Sequence, residues 1–280
     1  MGFSSVWQKV TAGGVALLAA VVGWFLGTDS TNRVLLALVL GVVGFSLVLY
    51  YTRLNNVKRY KLLMARLYTD LDPEAFLAEV KRVDLDRMKP TERSTTEIHI
   101  ANGLLAAGRP QEALEVLKTV ESQAEPGAWE VLFTVAANRA TCYLDSGQAK
   151  KAQRSMQHAS DIVRQGKASA GGNGRPASSR PAKAGRPVND PQDFWLKARK
   201  TLAFLQLRLD VARGRKINTV VLREDLERNK APLQGIRVAA LLMAAYEQQG
   251  DSAGAQEMRS YIVEHGGQMA VRRELLAAEE

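Results

Sequence analysis

Two uncharged, strongly apolar runs follow one another at the N-terminus of this 280-residue chain. Residues 10–26 and residues 34–51 contain no acidic or basic side chain. As helices, these runs of seventeen and eighteen residues rise about 26–27 Å, close to the lower limit for the hydrocarbon core of a bilayer. Neither run has a polar face, which disfavours a surface helix of a soluble domain. The sequence therefore predicts that residues 1–51 form a transmembrane anchor of two helices.

The charges that flank these runs predict how the anchor is oriented. Only seven residues, 27–33, separate the runs, so the two helices must cross the membrane in opposite directions. Residues 52–69 contain five basic side chains and no acidic one, whereas Arg33 in the turn is offset by Asp29. Because basic segments stay on the cytoplasmic side, we expect both termini and the large domain in the cytoplasm of a multi-pass cell-membrane protein.

Small residues in the two runs indicate close helix packing in lipid. Gly23 and Gly27 form a G-x-x-x-G pair, and Gly41 and Gly44 lie in the second run. Packing of the hairpin on itself is favoured over a hairpin-mediated dimer. The absence of charge within the runs argues against an ion path or a transport site.

The composition of the chain excludes several kinds of chemistry. Cys142 is the only cysteine, which rules out an intrachain disulfide and a cysteine-based metal cluster. The three histidines have no ligand spacing, and no phosphate loop or hydrolase motif is present. We therefore expect no catalytic residue, no cofactor and no metal site, and we expect that the chain is not an enzyme.

After the anchor, residues 52–93 are predicted to form a basic juxtamembrane helix and a connector. In the connector, Asp72-Pro73-Glu74 has the pattern of a helix start, which predicts a helix to about Val83. From residue 94 the pattern changes to paired helices. Ala101, Gly108 and Ala113 in one pair have the same spacing as Ala140, Gly147 and Ala152 in the next. Such alanines let two helices come close, and the glycine permits a left-handed turn between them.

These residues resemble the tetratricopeptide repeat. Matches to the repeat signature fall in residues 94–166, and a weaker copy falls in residues 236–267, where Met243 and Arg259 depart from the signature. The matching residues are Ala101, Gly108, Ala113, Pro126, Tyr143, Gly147, Ala152 and Ala159, followed by Tyr246, Gly250, Asp251 and Ala255. The resemblance implies an all-α fold in which residues 94–165 and 192–280 form divergent helical hairpins.

The resemblance also implies a groove for a protein partner along the first helix of each pair. The positions that hold a terminal carboxylate in some members are Ile98, Asn102 and Thr141 here, and only Asn102 fits. A carboxylate clamp is therefore not supported, and a more apolar groove is expected from Ile98, Asn102, Leu105, Thr141 and Leu144.

A basic, low-complexity segment interrupts the helical pattern. Residues 164–216 have a net charge of +10, whereas the whole chain has +9, so the rest of the chain is close to neutral. Within this segment, residues 166–191 are rich in Gly, Ala, Ser and Pro. This composition predicts a disordered linker with a candidate basic patch at Arg175, Arg180, Lys183 and Arg186. A solvated linker beside the membrane is favoured over nucleic-acid recognition, because stacking aromatic residues are missing from the linker.

From these features we expect a membrane-anchored scaffold that binds a protein partner in the cytoplasm. The Ala-, Arg- and Gly-rich composition is typical of bacterial proteins, so we expect a bacterial source. The alternative is a module that binds anionic surfaces, either lipid headgroups or nucleic acid, through residues 164–216.

Overall fold

The computed structural model describes residues 5–26, 29–125, 127–171, 191–228 and 231–278, and all regular structure in these ranges is helical. A 3-10 turn at Leu85–Arg87 accompanies the α-helices. In chain order these are α1 (Ser5–Leu26), α2 (Ser30–Tyr68), α3 (Pro73–Val80), α4 (Pro90–Ala106), α5 (Pro110–Gln123), α6 (Trp129–Asp145), α7 (Ala149–Gly171), α8 (Pro191–Ala212), α9 (Thr219–Arg228), α10 (Pro232–Gln249), α11 (Ser252–His265) and α12 (Ala270–Ala277). The all-α prediction is confirmed.

The chain divides into two compact units. The first unit comprises residues 1–65 and 79–89, and the second comprises residues 66–78 and 90–280. The predicted anchor therefore belongs to the first unit, and the predicted repeats belong to the second.

In the first unit, α2 is the one helix of the described residues that is long and apolar enough to span a membrane. Its apolar window has a mean hydropathy of 2.5, and none of the window is buried by other parts of the protein. The apolar part of α1, Val10–Leu26, is shorter. The helices extend beyond the predicted runs of 10–26 and 34–51, and α2 continues without a break through the basic residues up to Tyr68.

Two glycines of α2 lie against small residues of α1. A Cβ atom added at Gly41 would lie 3.5 Å from the Cβ atom of Ala20, and one at Gly44 would lie 3.2 Å from the Cβ atom of Ala19. The small side chains on both helices permit this approach. Gly27 of the G-x-x-x-G pair lies outside the described residues.

In the second unit, the chain leaves α2 through a turn that contains Leu71 in a left-handed conformation, with φ +53°. Such a conformation is unfavourable for a residue with a Cβ atom. It is held by burial of the Leu71 side chain and by a 2.8 Å hydrogen bond that the Gln268 amide donates to the Leu71 carbonyl. The predicted helix start follows, where a carboxylate oxygen of Asp72 accepts from the Ala75 amide at 2.9 Å. This helix ends at Val80, three residues earlier than expected.

Consecutive helices of the second unit pack as pairs. Helix α4 packs with α5, α6 with α7, and α10 with α11. The alanines that the sequence placed at the close contacts are almost completely inaccessible to solvent: Ala101, Ala113, Ala140, Ala152 and Ala159 are 0% exposed. Helix α8 packs on α6, α7 and α10, while α9 packs on α10.

One backbone turn ends four of these helices. Gly108, Gly147, Gly214 and Gly250 have φ between +68° and +78°. At each turn the amide after the glycine donates to the carbonyl five residues earlier, at 2.7–2.9 Å, as in a Schellman motif. Three of these glycines were predicted as turns from the repeat pattern, and Gly214 was not. The described residues thus contain a fourth helix end of the same kind, after α8.

Aromatic packing joins α7 to α8, and α7 extends five residues past residue 166, where the linker was predicted to begin. Helix α7 continues through Gly166 to Gly171. A Cβ atom at Gly166 would lie 2.4 Å from the ring of Trp195 and 3.2 Å from that of Trp129, so this glycine is closely covered. Phe194 packs edge-on against Phe133, with ring centroids 5.7 Å apart. Residues 166–171 are therefore helical rather than part of a disordered linker, and residues 172–190 lie outside the described range.

The last helix, α12, returns to the turn after α4. Arg273 donates to the Ala107 carbonyl at 3.0 Å. A Cβ atom added at Gly108 would lie only 2.8 Å from the Cβ atom of Ala270. The sequence pattern did not predict α12 as a separate helix.

The glycine turns give a first testable prediction. Gly147→Ala introduces left-handed strain but meets no atom within 4 Å, so we expect it to lower the free energy of unfolding by about 1–2 kcal/mol. Gly108→Ala adds the steric conflict with Ala270 and should cost more. Urea unfolding of the detergent-solubilised full chain measures both. Gly147→Asn is the matched control and should cost less than Gly147→Ala, because Asn tolerates the left-handed region. Equal losses at the two glycines would contradict the expected role of α12.

Candidate functional site

The second unit contains a cavity of about 490 Å³ where the C-terminal ends of three helices meet. The ends of α4, α6 and α8 form one side, and α10 and the beginning of α12 form the other. This volume lies in the range of cavities that hold small ligands or a few side chains of a bound peptide.

Most of the cavity wall is apolar. Leu105 and Leu144 contribute from α4 and α6, Ile236 and Leu241 from α10, and Met269 from the residue before α12. Four residues of the lining are charged, namely Asp145, Arg208, Arg237 and Glu274. The cavity therefore combines apolar walls with a small number of charged groups.

Two of the charged residues neutralise each other. The guanidinium group of Arg208 donates a hydrogen bond to a carboxylate oxygen of Asp145, and together they form an ion pair. These residues belong to the last turns of α8 and α6. The contact between the two helix ends brings them together, although they lie 63 positions apart in the sequence.

Arg237 has no such partner. In the part of the chain that the structure describes, its guanidinium group makes no hydrogen bond and no ion pair. Burial lowers the pKa of Arg237 from its ordinary value, and the positive charge of Arg208 lowers it further. Asp145, Tyr68 and Cys142 act in the opposite direction and do not outweigh these effects. The half-buried Arg237 is therefore a cation whose environment disfavours its charge.

A polar cluster lies between the end of α2 and α4. The hydroxyl group of Tyr68, the last residue of α2, lies 2.7 Å from Nδ1 of His99 on α4. The side-chain amide of Asn102 donates to the same hydroxyl oxygen at 3.3 Å. Burial raises the pKa of Tyr68, although Asn102 and Arg237 partly oppose this effect, and burial lowers the pKa of His99. A neutral imidazole at Nδ1 can then accept from the tyrosine hydroxyl.

The five predicted groove residues are not all in one place. Leu105, Thr141 and Leu144 line the cavity. Ile98 is buried, and Asn102 is held in the Tyr68 cluster; neither lines the cavity. The hydroxyl group of Thr141 donates to the Ala137 carbonyl of its own helix at 3.2 Å. The predicted groove thus coincides with the cavity only at the C-terminal ends of α4 and α6.

Other predicted features have separate locations. The basic patch of Arg175, Arg180, Lys183 and Arg186 lies outside the described residues. Cys142 is buried on α6, as expected of a packing residue, and burial followed by the charge of Asp145 raises its pKa to about 12. Among the described residues, no group of His, Cys, Asp and Glu is arranged to hold a metal ion.

Sequence reasoning missed the two arginines and α12. Arg237 did leave a signal, because it is the only charged residue between Pro232 and Tyr246, a run that is otherwise mostly apolar. Arg208 left none, since it lies in a helix with many basic residues. The wall that α12 adds depends on a contact across 166 positions, which no local pattern reveals.

Comparison with protein-family models, with curated proteins and with solved structures finds no match for this chain. The function must therefore be argued from the cavity and from the apolar helices.

The buried His99 gives a prediction on pH dependence. Because burial lowers its pKa below 6.5, the unfolded chain takes up this proton before the folded chain does. Its contribution to stability is therefore present above about pH 6.5 and is lost as the pH falls below that value. We expect His99→Gln to reduce the loss of unfolding free energy between about pH 7.5 and about pH 5.5, as measured by urea unfolding. The exposed His158→Gln is the matched control and should keep the wild-type loss.

Proposed function

We propose that this chain is a membrane-anchored binding protein. Two N-terminal helices anchor it in the cell membrane as a hairpin with both termini in the cytoplasm. Its tetratricopeptide-like domain binds a segment of a protein partner in the cavity between α4, α6, α8, α10 and α12. The observation that carries the proposal is this apolar cavity with a single uncompensated cation in its wall.

The proposal of an anchor is supported by the length and the exposure of the apolar helices. An uncharged apolar helix none of whose residues is buried in the rest of the protein is unfavourable in water and favourable in lipid. The close approach of Gly41 and Gly44 to α1 supports a hairpin, because small residues are typical of helix contacts within membranes. The basic residues 53–66 at the end of α2 support the cytoplasmic orientation of the domain.

The proposal of a peptide-binding repeat is supported by the recurring helix pairs. Four helices end in the same glycine turn, and the alanines at the close contacts are buried. In arrays of this kind each pair contacts its neighbours, and the stacked helices create extended surfaces that proteins use for binding.

The orientation can be tested with reporters. Alkaline phosphatase, which is active only outside the cytoplasm, and green fluorescent protein, which folds in the cytoplasm, are fused separately after Glu280. We expect fluorescence and no phosphatase activity, because the basic end of α2 stays inside. A second pair of fusions after Asp29, between α1 and α2, is the control and should give the opposite result. Phosphatase activity after Glu280 would overturn the proposed orientation.

The partner site can be tested by photo-crosslinking in native membranes. A photoreactive phenylalanine analogue is introduced at Ala244, which lines the cavity. The same analogue at the exposed Gln256 on α11 is the control. We expect a discrete crosslinked protein from Ala244 and none from Gln256. Replacing residues 172–190 by a Gly-Ser segment of equal length should leave this product unchanged. A product that disappears with the basic segment would favour binding to anionic surfaces instead.

A further inference from the structure

The cavity contains a charge arrangement that indicates the chemistry of its occupant. Its lining has four charged groups, namely the paired Arg208 and Asp145, together with Arg237 and Glu274. These four charges sum to zero, and Arg237 is the cation among them that forms no ion pair. Glu274 belongs to α12 on the other side, where it lies near the glycine turn at Gly108, and it forms no ion pair with Arg237.

We propose that Arg237 is the recognition residue for a carboxylate group of the peptide bound in this cavity. The inference rests on the proposed function and specifies its ligand. A guanidinium group presents a planar pair of donors that matches a carboxylate, and the pair is strongest where water is excluded. The surrounding leucine, isoleucine and methionine side chains reduce the water around such a pair and provide a place for an apolar side chain next to the carboxylate.

Two features favour a carboxylate over a phosphate group. Arg237 is the one cation of the lining that is not paired with an acid, so it matches the single negative charge of a carboxylate and leaves a doubly charged phosphate only half compensated. The lining also offers a phosphate no second unpaired cationic side chain, since Arg208 is already engaged by Asp145. The carboxylate can belong to the end of a peptide or to an acidic side chain, and these two sources can be separated by experiment.

Arg237 also differs from an arginine that stabilises the fold. Structural arginines of this protein have partners: Arg139 pairs with Glu121 at 2.5 Å, and Arg272 donates to the Val263 and Gly267 carbonyls at 2.7 and 2.9 Å. Arg237 faces Arg208, Asp145, Tyr68 and Cys142, and none of them is its hydrogen-bond partner. Removal of its charge is therefore expected to leave the empty protein at least as stable as the wild type.

The test uses three small organic probes, inorganic phosphate and the full chain in detergent. N-acetyl-leucine carries a terminal carboxylate, N-acetyl-glutamic acid α-amide carries a side-chain carboxylate, and N-acetyl-leucine amide is neutral. Binding is measured as the rise in unfolding temperature with probe concentration. We expect at least one carboxylate probe to stabilise the wild type and the amide to have no effect. The stronger of the two carboxylates identifies the source. Stabilisation by the amide to the same extent, by inorganic phosphate more strongly, or by no probe would overturn the inference.

Variants assign the effect to the guanidinium group. Arg237→Met should weaken the binding of the carboxylate probe at least tenfold without lowering the unfolding temperature of the protein in the absence of the probe. Arg237→Lys should retain part of the binding because it keeps the charge. Arg228→Gln, on the exposed part of α9, is the matched control and should bind as the wild type does. Wild-type affinity in Arg237→Met would refute the assignment.

The same variant separates this inference from the proposed function. If the crosslink from Ala244 persists in Arg237→Met, the cavity binds a partner but Arg237 does not recognise its carboxylate. If the wild type gives no crosslink from Ala244, the proposed function itself fails. Loss of the crosslink in Arg237→Met, but not in Arg228→Gln, supports both.

Discussion

The left-handed glycine turn is the constraint on which the helical domain depends. A helix that ends in this turn satisfies two of its last carbonyl groups and reverses the chain. After α4, α6 and α10 the next helix then returns along the first, whereas α9, which follows the turn at the end of α8, packs on α10. Gly108, Gly147, Gly214 and Gly250 all adopt it. Because a side chain other than Asn is strained at this position, the turn determines where each helix ends more sharply than helix propensity does. The buried alanines then determine how closely the two helices of a pair approach.

Much of this architecture could be predicted because the turn and the close contact are local. Gly108 and Gly147 have alanines at the same offsets before and after them, and the structure buries those alanines. Gly214 was missed because Arg213, Arg215 and Lys216 surround it, and the stretch was interpreted by its charge. Gly166 was assigned to the linker by composition, whereas the rings of Trp129 and Trp195 cover it. Composition predicts how readily a segment is solvated, but it does not predict which distant side chains will pack on that segment.

The cavity was predictable only in part, for the same reason. Leu105 and Leu144 occupy equivalent positions of two helices, 39 residues apart, and Thr141 is equivalent to Asn102, so a repeat pattern identifies all of them as candidates. Of these, Leu105, Thr141 and Leu144 line the cavity. The opposite wall comes from α10 and α12, whose position depends on contacts such as that of Arg273 with the Ala107 carbonyl. The role of Asn102 also differs from the one predicted for it in the groove, because its side-chain amide donates a hydrogen bond to the hydroxyl group of Tyr68 at the end of α2. A residue type at a matching position therefore does not determine whether its donors are available.

The charge balance of the cavity links binding to stability. Asp145 is engaged by Arg208, and Glu274 forms no ion pair with Arg237, so Arg237 has no paired acid in the lining. Burying an uncompensated cation is unfavourable, and water or a counter-charge must relieve it. An occupant with a carboxylate group removes this penalty only when it is bound, which means that the same group that weakens the empty domain strengthens the complex. Replacing Arg237 by an apolar residue would remove the penalty and also the selectivity. The sequence retains a single charged residue within the apolar run of α10, and selective binding of an anion gives a physical reason for it.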